Sequence, residues 1–111
     1  MTGRLARRLT LQRAGRLPDG AGGWTESWDS LGTVWAQIRG RTVRTRGTAD
    51  LAVDVARLDI RIRASQPGAI ERPIVGDRFR EGSRFYVIHA VREEGRTGRW
   101  LMCTCSEEVS P

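Results

Sequence analysis

The fold class is decided by the stretch RFYVIHAV at residues 84–91, which is rich in aromatic and β-branched residues and is typical of a strand. A glycine-containing link at 94–98 and a second strand-like run from Trp100 to Cys105 follow it, so the three segments predict a β-hairpin. The run from Leu58 to Arg63 has the same period of two, because leucine and isoleucine alternate there with charged residues. These segments predict an all-β protein.

Further strands are predicted on both sides of this region. Residues 4–13, 33–39 and 76–80 each carry short alternating patterns, and turn-forming residues fill the segments 17–23 and 65–68. Five to six short strands separated by such turns favour a small antiparallel β-barrel or sandwich over an alternating strand-and-helix arrangement.

One segment does not fit this regular spacing. Residues 39–56 begin with arginines among glycine and threonine and end in ADLAVDVA, whose apolar phase does not continue into Leu58. The sequence therefore predicts a long β2–β3 loop over about 40–57, in which a short helix and a continued strand are alternatives. Loops of this length in a small domain are usually functional or disordered.

Four residues are predicted to lie in the core. Each is an apolar residue on an alternating strand with polar or charged neighbours. They are Trp35, Ile60, Ile62 and Val87.

The composition is that of a single globular domain. The chain has 111 residues, of which 39% are apolar and 29% charged, so we expect one domain over 1–111 with one small core. No apolar run approaches the ~20 residues of a membrane-spanning helix, and the arginine-rich amino terminus lacks the apolar stretch of a signal peptide. We therefore expect no membrane partner, and a protein made in the cytoplasm that leaves it only inside a larger particle.

Positive charge is concentrated in the first half of the chain. The sequence has 19 arginines, no lysine and 13 acidic residues, and the net charge of +6 lies within residues 1–63, which hold 12 arginines and six acids. Such a field favours polyanions or an acidic protein surface. The candidate site within it is the group Arg39, Arg41, Arg44 and Arg46, which either contacts phosphates or an acidic partner or is ordinary solvated surface.

Trp24 and Trp28 are a second candidate. They flank a polar stretch, and a strand would place both on one face. They are either core residues or an aromatic patch at a subunit interface.

Catalytic and metal chemistry find little support. His89 is the only histidine and is predicted to be structural, on a strand face with Phe85 and Val87. Cys103 and Cys105 are two residues apart on one strand, where a disulfide would be strained, so we expect reduced, partly buried thiols. The sequence predicts no enzyme, no cofactor and no metal site.

The order of these motifs resembles the phage head–tail joining proteins, also called head-closure or stopper proteins. The resemblance runs from about Gly3 to Val109 and is carried by order and spacing rather than by one strong motif. The segments that carry it are Leu9–Gln12, Asp19-Gly20, Gly22–Trp24, Trp28, Thr33–Ile38, Leu58–Arg63, Gly76–Phe79, Gly82–Ile88, Trp100–Cys105 and Glu107–Val109. The chain departs from the family pattern after the Trp-Ala strand, where an acid is common and this chain has arginines.

The resemblance implies a small β-barrel and a structural role without enzyme activity or cofactor. It implies a virion neck protein at the head–tail interface, assembled in the bacterial cytoplasm, in a tailed phage, a prophage or a gene transfer agent. It further implies a ring, a hexamer or dodecamer, between the portal–adaptor ring and the tail-terminator or tail proteins. In relatives the long β2–β3 loop reaches the DNA channel, which would place residues 40–57 there beside non-specifically contacted packaged DNA.

Two alternatives to a stopper stay open at this point. One is an independent small β-barrel that binds nucleic acid through its basic face. The other is a different neck or tail-completion protein of similar fold. For the isolated chain we expect a soluble monomer or weak oligomer, because such rings are usually templated by the partner ring.

Overall fold

The computed structural model describes residues 6–47, 51–66 and 69–108, and this part of the chain contains six strands and no helix. The strands are β1 (Arg7–Pro18), β2 (Trp24–Arg46), β3 (Ala52–Arg63), β4 (Arg78–Glu81), β5 (Arg84–Glu94) and β6 (Trp100–Glu107). All strand pairings are antiparallel, so the predicted all-β class with five to six strands is confirmed. The described residues include no helix able to cross a membrane.

The six strands form one sheet that closes on itself. Their order is β1-β2-β3-β6-β5-β4, and β4 pairs back with β1 through Thr10, Leu11 and Gln12. Closure gives the central part of every strand two neighbours, which leaves no free edge in the barrel itself.

The core fills the inside of this barrel because alternate residues of each strand point inward. Ile60 and Ile62 of β3 are buried there, as the sequence predicts, opposite the buried Leu101 and Cys103 of β6. Burial of one such aliphatic side chain stabilises the fold by about 1.5–3 kcal/mol. The buried hydrophobic cluster consists of Leu9, Leu11, Ala36, Ile60, Ile62, Phe79, Tyr86, Ile88, Leu101, Cys103 and Cys105.

Two core predictions are corrected. Trp35 is 54% exposed on the outside, because its neighbour Ala36 points inward, in register with Ile62. Val87 is half-buried on the outer face, and Ile88 is the buried residue. Both stretches carry apolar residues on both faces, so alternation alone does not identify the inner one.

A polar cluster links β1, β4 and β5 at one end of the barrel. The Arg7 guanidinium donates to Glu81 at 2.6 Å, and the buried Tyr86 hydroxyl donates to the same carboxylate at 2.9 Å. The hydrogen bond from Arg7 lowers the pKa of Glu81, and burial together with the Glu81 contact raises the pKa of Tyr86 to about 12. This cluster satisfies the hydroxyl of the largest buried side chain.

Strand β2 is far longer than the predicted strand at 33–39. A straight strand of 23 residues would span about 75 Å, whereas the largest dimension of the molecule is 50 Å, so β2 must bend. One irregularity lies where Leu11 pairs with Gly32 but Gln12 pairs with Ser30, leaving Leu31 as an extra residue. Gly32 has a φ of 142°, a value that residues with a side chain rarely adopt.

Both ends of β2 extend beyond the barrel as two-stranded ribbons. At the amino-terminal end Trp24–Asp29 pair with Arg13–Pro18 of β1. At the other end Arg41–Arg46 pair with Ala52–Arg57 of β3, and we call this second ribbon the arm. The described part of the predicted 40–57 loop is thus a pair of strands; the helix alternative is wrong, and residues 48–50 lie outside the described residues.

Candidate partner-binding surfaces

The arm has no neighbour on either side within the described part of the chain. Strand β1 pairs with β2 only as far as Ala36, and β6 pairs with β3 only from Leu58 onward. At about 3.3 Å per residue, the stretch Arg41–Arg46 carries the arm about 20 Å beyond the barrel. Exposed hydrophobic residues and arginines on such a ribbon are available to a partner.

The two faces of the arm differ in chemistry. Opposed residues share a face in an antiparallel pair, and Val43 lies opposite Val55, with Thr45 opposite Val53 on the same side. We call this side the valine face; Arg41 and Arg57 lie opposite each other at its base, with Arg39 and Asp59 one step nearer the barrel. The other side, the charged face, carries Arg44 opposite Asp54 and Arg46 opposite Ala52.

The four arginines predicted as a site are therefore divided between two faces. All four side chains are exposed, with Arg39 and Arg41 on the side of the valine face and Arg44 and Arg46 on the charged face. Arg41 forms an ion pair with Asp59 at 2.8 Å, and Arg44 with Asp54 at 3.3 Å. The Arg44–Asp54 pair is exposed on both sides and contributes about 0–1 kcal/mol, so a phosphate or carboxylate of a partner can replace it. In the Arg41–Asp59 pair the carboxylate is only 14% exposed and the guanidinium 41%.

Aromatic residues are absent from the sequence of the arm and of residues 47–51, which join its strands. Single-strand binding proteins combine positive charge with aromatic stacking platforms. The chemistry of the arm therefore fits contact with a nucleic-acid phosphate backbone or with a protein. It does not favour binding of single-stranded nucleic acid by base stacking on this segment.

The amino-terminal ribbon separates Trp24 from Trp28. Its turn is closed by Asp19, whose Oδ1 accepts hydrogen bonds from the backbone N–H groups of Ala21 and Gly23 at 2.7 and 3.0 Å. These two bonds lower the pKa of Asp19. Next to this turn, Trp24 is 64% exposed, which excludes it from the core.

Trp28 is half-buried on the same face of the ribbon as Trp24. The Arg78 guanidinium lies 3.9 Å from the centre of the Trp28 ring and 4.1 Å from that of Phe85. Arg78 also donates to the Gln12 side chain at 2.7 Å, and burial lowers its pKa. This stack attaches the ribbon to the outside of the barrel through Trp28, and Trp24 is the more exposed of the two predicted interface aromatics.

A third surface was not predicted from the sequence. Between β3 and β4 the chain exposes Ile70 at 66%, Ile74 at 53% and Val75 at 63%, and we call these three residues the β3–β4 patch. Beside them, Pro73 and Asp77 are buried. Three large aliphatic side chains exposed next to an anchored backbone are typical of an interaction surface.

The backbone of the patch is fixed by an ion pair to the amino-terminal ribbon. The Arg13 guanidinium donates to both carboxylate oxygens of Asp77 at 2.9 Å and to the Arg72 carbonyl at 3.0 Å. Asp77 in turn accepts from the Ile74 N–H at 3.0 Å, and Arg72 donates to the Ser65 carbonyl at 2.6 Å. The patch is thus held in place although its three apolar side chains are exposed.

The sequence signal for the patch was weak. The segment follows Pro67 and Gly68 of the predicted turn at 65–68, which lie outside the described residues, and its apolar residues show no strand period. The pair that anchors it joins positions 64 residues apart, which spacing arguments cannot detect.

The groups considered for catalysis do not converge. His89 is exposed at a register shift of β5 and contacts the Ser106 hydroxyl at 2.6 Å. Cys103 and Cys105 are free and fully buried, and burial raises the pKa of both thiols, that of Cys103 to about 12. No group of three potential metal ligands occurs among the residues described.

Comparison with known proteins identifies the family. A family model described as phage head completion protein matches residues 1–108. The chain is also similar to a chain in a solved structure titled "Virion of native gene transfer agent (GTA) particle", with 38% identity and a TM-score of 0.74, over 98% of this chain and 100% of that one. None of the proteins with curated descriptions matches significantly. The chain therefore belongs to the phage head completion protein family.

Proposed function

We propose that this chain is a head-closure, or stopper, protein of a phage-type particle. In this proposal copies of the chain form a ring, of six or twelve, between the portal–adaptor ring and the tail at the head–tail interface. The ring closes the channel around the packaged DNA and offers the docking surface for the tail. The role is structural, and no catalytic step is assigned to any residue.

Family membership supports the general role in completing the virion head. The similarity to a chain within a gene transfer agent virion supports a place in an assembled particle, since it extends over nearly the full length of both chains. A catalytic role has no comparable support, because the one histidine is exposed beside a serine and the two thiols are buried.

The observation that carries the stopper proposal is the arm. A channel is narrowed most simply by an element that extends from each subunit without being part of its core, and the arm does this over about 20 Å. Its charged face, with Arg44 and Arg46, is the side suited to phosphates.

Contacts of this type do not depend on base sequence. Arginine side chains on a two-stranded ribbon neutralise phosphates and release counterions, so the affinity falls steeply with salt. The pairs of Arg41 with Asp59 and of Arg44 with Asp54 hold the side chains in place until a phosphate replaces the carboxylate. This predicts weak, salt-dependent contact with DNA that becomes effective when many copies surround one duplex.

The test is a quadruple Arg→Gln variant at positions 39, 41, 44 and 46, produced in a host whose own copy of the gene is deleted. Because all four side chains are exposed, the variant is expected to fold and to enter particles. We expect filled heads that lose DNA progressively as the salt concentration rises, measured as the fraction of particles with nuclease-resistant DNA.

The matched control changes four exposed arginines outside the arm to glutamine, Arg16, Arg92, Arg96 and Arg99, so the change in net charge is the same. The control is expected to retain DNA like the unaltered chain. Equal DNA retention by both variants at every salt concentration would show that the arm arginines are solvated surface.

A further inference from the structure

The valine face of the arm and the β3–β4 patch are both unoccupied in the single chain. The valine face consists of Val43, Val53 and Val55, of which Val53 is 45% exposed. The patch presents Ile70, Ile74 and Val75, each more than half exposed. Aliphatic side chains exposed in this way are removed from water only when a partner covers them, which is favourable.

The strand register shows that these surfaces lie at opposite ends of the barrel. Strand β3 begins in the arm at Ala52 and ends at Arg63, after which the chain enters the segment that holds the patch. That segment is tied to Arg13 of the amino-terminal ribbon, and the arm and this ribbon extend from opposite ends of β2. The arm of one chain therefore cannot reach its own patch, and contact between the two surfaces requires a second copy.

The charges beside the two surfaces are complementary. At the base of the valine face Arg57 lies opposite Arg41, a like-charge pair, and Arg41 is neutralised by Asp59. Arg57 forms no ion pair within the described residues; its guanidinium only donates to the neighbouring Ala56 carbonyl. Glu71, exposed between Ile70 and Arg72, likewise has no cationic partner in the described ranges. An unpaired cation beside one apolar surface thus matches an unpaired anion beside the other.

We propose that the valine face of one copy docks on the β3–β4 patch of the next copy, with Arg57 facing Glu71 across the contact. The inference rests on the proposed ring, and it specifies which surfaces join successive subunits. The contact is heterologous, since two different surfaces meet, and repetition with a closing rotation gives a ring. It also leaves the charged face, with Arg44 and Arg46, directed away from the neighbouring subunit.

The size of the contact predicts its strength. Three aliphatic side chains on each surface fall well short of the ~800 Å² per partner of a stable interface. The contact is therefore weak in solution and becomes stable when a partner ring brings the copies together.

Site-directed disulfide cross-linking tests the proposal. The native Cys103 and Cys105 are buried, so a cysteine introduced on the surface is the accessible thiol. Chains carrying Val53→Cys are mixed with differently tagged chains carrying Ile74→Cys at about 1 mM under mild oxidation, because a small interface is weak. The matched control replaces Val53→Cys by Thr42→Cys, which lies on the opposite face of the same arm.

We expect the Val53–Ile74 disulfide to form at least about fivefold faster than the Thr42–Ile74 disulfide, as a docked pair has a raised effective concentration. Arg57→Glu in the Val53→Cys chain is expected to slow cross-linking about threefold, and Glu71→Arg in its partner to restore the rate. Equal rates for the two cysteine pairs, or no restoration by the charge exchange, would overturn the proposal.

Particles separate this inference from the proposed function. A chain carrying both Val53→Cys and Ile74→Cys is expected to yield covalent multimers when particles are oxidised. If this chain enters tailed, filled particles but yields only monomer, the contact is wrong and the neck role stands. If the unaltered chain is not found in particles, the neck role itself fails, and the solution cross-linking still decides the contact.

Discussion

The barrel and the arm are built from the same two strands, yet only the barrel is buried. In β3 the alternating residues Ile60 and Ile62 are 0% and 2% exposed, whereas Val53 and Val55 of the same strand remain partly open to solvent. Val53 and Val55 lie on the side of β3 that continues the outer face of the barrel, together with Arg57 and Asp59, whereas Ile60 and Ile62 lie on the inner side. The arm part of β3 also lacks a described neighbour other than β2, because β6 pairs with β3 from Leu58 onward. An apolar period of two predicts a strand, but the side toward which the sheet closes decides whether its apolar face becomes core.

This comparison separates residues that hold the fold from residues available for assembly. A change in the barrel should act on the free energy of unfolding, and a change in the arm should act on particle assembly. The predictions below test that division, beginning with the largest expected effect.

The largest effect is expected for Ile60→Ala. Removing this fully buried side chain leaves a cavity against β6 and should lower the free energy of unfolding by about 2–5 kcal/mol. The matched variant is Val53→Ala in the same strand, which should cost about 0.5 kcal/mol because its side chain is partly exposed. Urea unfolding followed by tryptophan fluorescence measures both; similar losses would mean that the arm is part of the core.

The second effect concerns a buried ion pair against an exposed one. Asp77→Asn removes the charge that faces Arg13 and should cost about 2 kcal/mol, less than a fully buried pair because Arg13 is 27% exposed. It should also loosen the β3–β4 patch, seen as faster amide exchange at Ile74. Asp54→Asn, which breaks the exposed pair with Arg44 in the arm, should change stability by less than about 0.5 kcal/mol. A larger loss of stability from Asp54→Asn than from Asp77→Asn would contradict the assignment of the Arg13–Asp77 pair to the fold and of the Arg44–Asp54 pair to the surface.

The third effect is a dependence on pH from Glu81. Its pKa is lowered in the folded chain by the Arg7 hydrogen bond, so the stability it contributes is present above its unfolded pKa of about 4.5 and is lost as pH falls through the folded pKa. Glu81→Gln should therefore cost about 1 kcal/mol at neutral pH and flatten the loss of stability below about pH 5. The comparison variant is Glu107→Gln, which removes the exposed ion pair with Arg84. Salt screens exposed charges, so at 0.5 M salt the loss of stability in Glu107→Gln should be smaller than that in Glu81→Gln. If Glu81→Gln loses stability below pH 5 as steeply as the unaltered chain, Glu81 does not cause the pH dependence.

Much of the barrel was predictable because its strands obey local rules. The hairpin of β5 and β6 follows from β-branched residues on both sides of a glycine-containing link, and the inward Ile60 and Ile62 follow from alternation with charges. Exposure of Trp35 was not predictable in this way, since Val34, Trp35 and Ala36 give no polar partner that marks the outer face. The exposure of Trp35 is decided by the strand register, which pairs its neighbour Ala36 with the inward-pointing Ile62.

The candidate sites were predictable only in part. The cluster of arginines between 39 and 46 is visible in the sequence, but its division between two faces depends on the residues being a strand. The position of Trp28 beneath Arg78 depends on a contact between distant segments. The β3–β4 patch depends on the pair of Arg13 with Asp77, and no local pattern indicates that pair.

The most direct test of the account is a chain with a shortened arm. Thr42 and Ala56 are directly opposed, so a two-residue Asn-Gly turn can join them in place of residues 43–55. Because the arm contributes nothing to the core, the free energy of unfolding should stay within about 1 kcal/mol of that of the full chain. Particles assembled with the shortened chain should nevertheless fail to retain DNA or to join tails, scored by electron microscopy. Filled, tailed particles at the normal yield would contradict the claim that the arm is the element that closes the head.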